Sequence, residues 1–415
     1  MSTMDLRRPV GSEENRYDLH GGVPFWLVRN GIEPPHAPLD ADVKADVAVV
    51  GGGITGALCA HHLSEAGIEC VVLDARGAGL GSTCASTALL QYEIDTPLHE
   101  LTQLVGTTHA VRSYRACWDA IDELQAIAKR VGHRGLERRP SVQYASRHRH
   151  VEDLRKEALL RSVHGMMTTF EQGSGCRAWL PFDVPAALRT EQAAEMDAWR
   201  FTHDLQRFDR ERGVRIFERT PVLSVEENSV GVLLRTKGGY SVRAKQCILA
   251  TGYEAHGTLP KDVVRLHSTY AFASGPGTSK QPWPERALIW ETARPYLYLR
   301  TTPDERLIVG GRDVPFRAPA MRDALLDRKC EALLKDVRRL MPELDLDREF
   351  SWCGTFGSTK DGLPYIDRAS KRSRIWFALG MGGNGIAFSV VAAGIIRDTM
   401  LGVRNPSSSL FRFDR

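Results

Sequence analysis

The sequence predicts a mixed α/β chain: a discontinuous, Rossmann-like dinucleotide-binding domain combined with a second domain built on an antiparallel sheet. Three stretches predict it. VAVVGGGITGALCAHHLSEAGIECVVLDA, from Val47 to Ala75, reads strand, glycine turn, helix, strand, acid. Residues 213–253 read as a meander of short strands that closes on a second glycine turn, ATGY. Residues 374–401 supply a strand (RIWFALG), a third glycine turn (MGGNG) and an apolar helix (IAFSVVAAGIIRDTML). Pieces of one nucleotide fold thus lie at the start, middle and end of the chain. A domain interrupted twice by another explains this order better than two domains in series. The division expected is an N-terminal arm over 1–43, a dinucleotide-binding domain over 44–125, 193–268 and 346–415, and a substrate domain over 126–192 and 269–345.

Composition agrees. A chain of 415 residues that is 42% hydrophobic exceeds one small core. Helical apolar spacing marks residues 107–131, 191–212 and 321–341, and residues 266–315 are strand-like and aromatic. The net charge of +4 is mild and spread out, with no basic run interleaved with aromatics, so no nucleic-acid partner is expected. The eight cysteines show no CxxC pair and no regular spacing, which reads as reduced thiols in a cytoplasmic protein. Arg7 and Arg8 precede Gly11, Ser12, Glu13 and Glu14 rather than an apolar segment, so neither a secretory nor a twin-arginine signal is expected. No window approaches the ~18 apolar residues that span a bilayer. The run RHRH at 147–150 reads as a solvated turn, and no metal site is expected.

Gly51, Gly53 and Gly56 form G-x-G-x-x-G directly after the strand Asp46–Val50. One glycine permits the tight turn, one lets the backbone approach a pyrophosphate, and one lets helix pack on strand. Ile54 and Thr55 open the helix, whose free N–H groups and positive end suit a phosphate. Asp74 ends the next strand, Glu69–Leu73, where a carboxylate accepts from both ribose hydroxyls and repels a 2′-phosphate. His61 and His62 are adjacent on the helix and read as surface histidines.

The next loop, GAGLGSTCASTALLQYEID, is small and hydroxyl-rich, with Gly81, Ser82, Thr83, Ser86 and Thr87 close behind Asp74. Such a loop can run beneath an extended dinucleotide, which a nicotinamide enzyme rarely needs. Here the chain resembles the D-amino-acid-oxidase-like flavoproteins, in the branch containing glycine oxidase, sarcosine oxidase and γ-glutamylputrescine oxidoreductase. The matching segments are DVAVVGGGITG (46–56), LDA (73–75), GLGSTCAST (79–87), QCILATGY (246–253), YLYLRTTPDERLIVGG (296–311), DGLPYID (361–367) and ALGMGGNGIAFS (378–389). The lead-in PHAPLDADVKAD (35–46) resembles the γ-glutamylputrescine branch. The resemblance implies FAD. Gly51, Gly53, Gly56 and Asp74 would hold its ADP half, with Ala75 and Arg76 beside them. Ser82, Thr83, Ser86 and Thr87 would approach the pyrophosphate and flavin, Val222 the adenine, and Thr251 and Gly252 the turn over the cofactor. Gly382, Gly383, Asn384, Gly385 and Ile386 would wrap the flavin's pyrimidine end. A helix N-terminus there meets the negative charge that reduction leaves on the ring.

Two departures bear on chemistry. Sarcosine oxidases link FAD to a cysteine near this chain's Cys353, but aligning Asp361 puts Gly354 at that position, so non-covalent FAD is expected. Ala387 stands where that family carries a lysine, which weighs against sarcosine as substrate. The activity implied is oxidation of a C–N bond in an amine or amino acid: a secondary amine, an N-substituted amino acid or a γ-glutamyl amine. Oxygen or another acceptor would take the electrons. Alternatives are oxidation of a C–O bond (a 2-hydroxy acid or glycerol phosphate) and a flavin-binding subunit or redox sensor without turnover. Pocket candidates are Tyr92, Glu93, Tyr253, Trp290, Glu291, Tyr296, Tyr298, Arg300 and Arg312. Tyr253, Tyr298 and Arg300 lead as catalytic residues. Alternation puts Tyr296, Tyr298 and Arg300 on one face, where Arg300 would pair with a substrate carboxylate. Glu93 or Glu291 would hold an ammonium if the substrate is a polyamine. His203, His256 and His267 belong to no motif and read as core or surface residues.

Overall fold

A computed structural model describes residues 2–6, 18–31, 33–257, 263–278 and 283–415. Its first sheet centres on Val43–Val50, paired in parallel with Ser241–Leu249 on one side and Cys70–Leu73 on the other. Arg215–Phe217 and Ile375–Leu379 extend this parallel region. Both faces are buried, which is why these strands read as unbroken apolar runs. Val47, Val49, Cys70 and Val72 face a core shared with the helices Ile54–Glu65 and Gly385–Met400. Ala48, Val50, Val71 and Leu73 face the opposite core, with Val225, Leu234 and Val242 from the meander.

The second sheet runs in the order His20–Gly22, Phe350–Ser358, Arg265–Ala273, Leu307–Pro315, Tyr298–Thr301, Leu288–Glu291, Glu137–Tyr144, Ala186–Glu195, Leu89–Gln91. It is antiparallel except where Leu288–Glu291 runs parallel to Glu137–Tyr144, so it is mixed rather than purely antiparallel. Leu89–Gln91, Arg265–Ala273 and Phe350–Ser358 belong to this sheet, although residues 89–91, 265–268 and 350–358 fall in the stretches expected to bind the dinucleotide. Alternation reveals a strand but not which sheet it joins.

Three further expectations are corrected. The arm is not wholly irregular. Ser2–Asp5 pairs with Val222–Glu227, His20–Gly22 pairs with Phe350–Ser358, and the helix Phe25–Asn30 buries Trp26. Residues 7–17, with the arginines of the N-terminal reading, lie outside the described residues. The helix expected over 191–212 begins at Ala198, where Asp197 caps it by accepting from the Arg200 amide at 2.9 Å. Ala186–Glu195 remains a strand despite its Ala, Glu and Gln, because pairing to Glu137–Tyr144 outweighs propensity. His61 and His62 are not surface residues; they are buried. Their helix is packed between Ala198–Arg210 and Gly385–Met400, which covers both faces. His61 Nδ1 meets Asp209 at 2.9 Å. His62 meets Arg397 at 3.2 Å, and burial, with Arg397 beside it, lowers its pKa to about 3.

Candidate active site

A cavity of about 910 Å³ runs between the two sheets. At one end the first glycine motif meets the meander. Gly51 has φ +112°, and a Cβ there would lie 2.3 Å from the Ala250 carbonyl, so the turn requires glycine. Gly53, Ile54 and Thr55 line the cavity at the start of their helix, whose cap residue, Gly53, has no side chain to offer. Gly56 does not line it: a Cβ there would lie 1.8 Å from the Gly51 carbonyl, so this glycine serves helix–strand packing. Asp74 Oδ2 accepts from the Gly52 amide at 2.7 Å and Oδ1 from the Arg76 amide at 2.8 Å. Thr83 Oγ1 accepts from the Ile54 amide at 3.0 Å. The Ser82 hydroxyl, on the same loop as Thr83, is buried without a partner. An unmet hydroxyl and a helix N-terminus on one wall fit a diphosphate. Ala75, Arg76, Gly81, Ser86, Thr87, Val222, Thr251 and Gly252 also line the cavity. Asp5, Leu6, Leu19 and Lys237 join them, unmarked by any sequence motif.

The third glycine turn closes the other end. Gly382, Gly383, Asn384, Gly385 and Ile386 line the cavity, and no side chain caps the helix Gly385–Met400. Asn384 Nδ2 donates to the carbonyls of Gln91 (2.9 Å) and Glu93 (2.6 Å). Asp95 ties the turn to the second sheet: it accepts from the Gly383 amide at 2.9 Å and from the Tyr296 hydroxyl at 2.8 Å. The Tyr253 hydroxyl donates to the Gly382 carbonyl at 3.3 Å.

The second sheet contributes an aromatic, acidic wall: Trp290, Tyr296, Tyr298, Thr269, Glu93 and Asp313. Ring centroids are 6.2 Å apart for Trp290 and Tyr296, and 5.8 Å apart for Tyr296 and Tyr298. Glu93 is 5% exposed, its Oε2 lacks a hydrogen-bond partner, and Arg161 approaches Oε1 to 3.5 Å. Burial raises the Glu93 carboxyl pKa against the opposing pull of Arg161. Burial pushes the Asp313 carboxyl up to about 6. The Tyr253 and Tyr298 phenols are raised by the same cause.

Other candidates lie away from the cavity. Arg300 is 1% exposed, and its guanidinium donates to the carbonyls of Ala88 (3.2 Å) and Met196 (3.1 Å). It shares the Tyr298 face, but two residues further along the strand (~6.6 Å) the Ala88 and Met196 backbone covers it. Arg312 pairs with Asp336 on the outer surface, and Glu291 holds the Ser146 hydroxyl (2.7 Å) and the Leu297 amide (2.9 Å). Tyr92 is packed against Tyr114 and Trp118. Cys353 faces the second-sheet core, its thiol 3.2 Å from Asp323, while neighbouring Gly354 lines the cavity. His267 meets Ser358 at 2.8 Å, and His203 packs tilted against Trp199, where burial lowers its pKa to about 4. The side chain of His256 lies outside the described residues. Asp95, Thr269 and Asp313 were missed from sequence; the doubled glycine before Arg312 was the available sign of an irregular strand.

An extended cavity, two helix N-termini and an aromatic wall suit a flavin-dependent oxidoreductase. Residues 46–399 match the family described as DAO, FAD dependent oxidoreductase, and the chain belongs to that family. It is 24% identical over 374 residues to glycine oxidase of Bacillus subtilis strain 168, covering 89% of this chain and 97% of that one. It is 47% identical to γ-glutamylputrescine oxidoreductase of Escherichia coli K12 over 49 residues, 12% of each chain. Its fold is similar to L-proline dehydrogenase from P. horikoshii, with TM-score 0.76 and 18% identity, covering 90% of this chain and 99% of that one. Among the described residues, no helix is long and apolar enough to cross a membrane.

Proposed function

We propose that the chain oxidises a C–N bond of an amine or amino acid to an imine, using non-covalent FAD. The observation that carries this reading is the acidic, aromatic wall beside the third glycine turn. Its charged groups are Glu93, Asp95 and Asp313, whereas the lining cations among the described residues, Arg76 and Lys237, stand at the Asp74 and Val222 end. FAD held along Asp74, Ser82 and the Gly382–Ile386 turn would supply the acceptor for a hydride from the carbon beside the nitrogen, with oxygen or another acceptor as the final oxidant. The wall attracts an ammonium ion, and Glu93, whose carboxyl pKa is raised by burial, is suited to accept the proton that must leave before the nitrogen lone pair can form the C=N bond. Tyr253 and Tyr298 orient the substrate, and Arg300 supports the wall from behind. Water then adds to the imine, giving a carbonyl compound and ammonia from a primary amine, or an amine from a secondary one.

Cys353 turned toward Asp323 supports non-covalent cofactor. Eight buried, unpaired cysteines support a reducing, cytoplasmic setting. The cofactor and substrate domains are best drawn by sheet. A 2-hydroxy acid or glycerol phosphate lacks the ammonium that a wall of carboxylates suits, which favours C–N over C–O chemistry. Anaerobic mixing of FAD-loaded protein with amines, amino acids and hydroxy acids tests the reading. Loss of the visible flavin band with an amine or amino acid supports it; loss with hydroxy acids alone overturns it.

A further inference from the structure

The charge of the substrate wall depends on one break in strand register. Strand Leu307–Pro315 pairs with Arg265–Ala273 so that Val314 opposes Ser268 and Gly311 opposes Tyr270. Arg312 and Asp313 therefore both stand against Thr269, which is a β-bulge. Gly310 marks the cavity face: it pairs with Tyr298, whose ring occupies the place of a Cβ, 2.2 Å from it. In an unbroken strand the next residue on that face would be Arg312. The bulge gives the place to Asp313. Arg312, at φ +59°, leaves for the outer surface and pairs with Asp336. One inserted residue thus replaces a cation with a carboxylate.

Asp313 lines the cavity beside Thr269, Tyr296 and Tyr298, and its Oδ1 is buried without a partner. The charges nearest it are Asp95, Lys329 and Arg294. Lys329 Nζ donates to the Arg312 carbonyl at 3.0 Å. Arg294 is exposed, stacked 5.2 Å over the Tyr296 ring, and donates to the Asp95 carbonyl. Neither lines the cavity. A substrate carboxylate would meet Asp95, Asp313 and Glu93 with no lining cation beside it among the described residues. A second ammonium would meet an unpaired carboxylate oxygen between two phenol rings.

We propose that the substrate is an amine carrying a second protonated nitrogen and no carboxylate, with that nitrogen seated on Asp313 between Tyr296 and Tyr298. The oxidation itself rests on the C–N reading above; the binding does not. Anaerobic calorimetry on FAD-loaded protein tests it with 1,4-diaminobutane, butylamine and glycine, using wild type, Asp313→Asn and Arg312→Gly. In wild type the diamine binds about tenfold or more tighter than butylamine, the size of one charged hydrogen bond, and glycine binds weakest. Asp313→Asn removes the diamine's advantage, Arg312→Gly keeps it, and the flavin content read from the spectrum is equal in all three. A diamine advantage that survives Asp313→Asn overturns the proposal. So does glycine binding wild type more tightly than the diamine, a ranking that decides the matter even if the variant does not fold. Diamine binding that depends on Asp313, with no amine bleaching the flavin, keeps the seat and overturns the reaction reading.

Discussion

Two carboxylates make opposite use of burial. Asp74 is satisfied by the amides of Gly52 and Arg76, so it fixes the turn that receives the dinucleotide. Asp74→Ala leaves both donors unmet, and FAD should bind about tenfold or more weakly, read from flavin fluorescence released on dilution. Asp313 has one oxygen, Oδ1, buried without a partner, and its carboxyl pKa rises from 3.8 to about 6 through desolvation. The folded chain therefore holds this proton more tightly than the unfolded chain. The stability it contributes is complete below pH 3.8 and is lost as pH rises through about 6. Asp313→Asn should thus melt at a higher temperature than wild type at neutral pH, with the difference vanishing in acid. A site that sacrifices stability for binding behaves in this way. Asp74 was legible because its role follows from spacing within one βαβ unit. Asp313 was not, because its face is set by an inserted residue. The sequence pointed to Arg312 and Arg300, both of which lie off the cavity for reasons of strand register and backbone cover.

At the scale of elements, the glycine turns carry the site, and each can be broken singly. Gly56→Val would press a side chain onto the Gly51 carbonyl, where even a Cβ is only 1.8 Å away. That variant should purify colourless and fail to take up added FAD. Gly311 has φ +140°, and a Cβ there would lie 2.5 Å from the Tyr296 carbonyl. Gly311→Ala should cost about 1–3 kcal/mol in urea unfolding and weaken the preference for a dication, since the bulge that positions Asp313 is strained. Elements with local signals were legible: the parallel strands at 43–50 and 70–73, and the helix Thr107–Arg130 with buried residues at three- and four-residue spacing. The last part of strand Ala186–Glu195, residues 191–195, has a composition that favours helix, and only its sheet partners make it extended. His61 and His62 looked exposed because a second helix covering their outer face leaves no trace in their own periodicity.

At the scale of the molecule, the chain crosses between its two sheets repeatedly, so that each lends one wall to the cavity. The dinucleotide wall repeats motifs whose spacing is dictated by a cofactor, and it was readable residue by residue. The substrate wall obeys no such fixed spacing. It is assembled from strands distant in sequence, and its charge came into view only with their pairing. The most direct test is a crystal structure of the FAD-loaded protein with 1,4-diaminobutane. The account predicts one nitrogen about 2.7–3.2 Å from an Asp313 carboxylate oxygen, between the rings of Tyr296 and Tyr298. A diamine bound with both nitrogens away from Asp313 would contradict it.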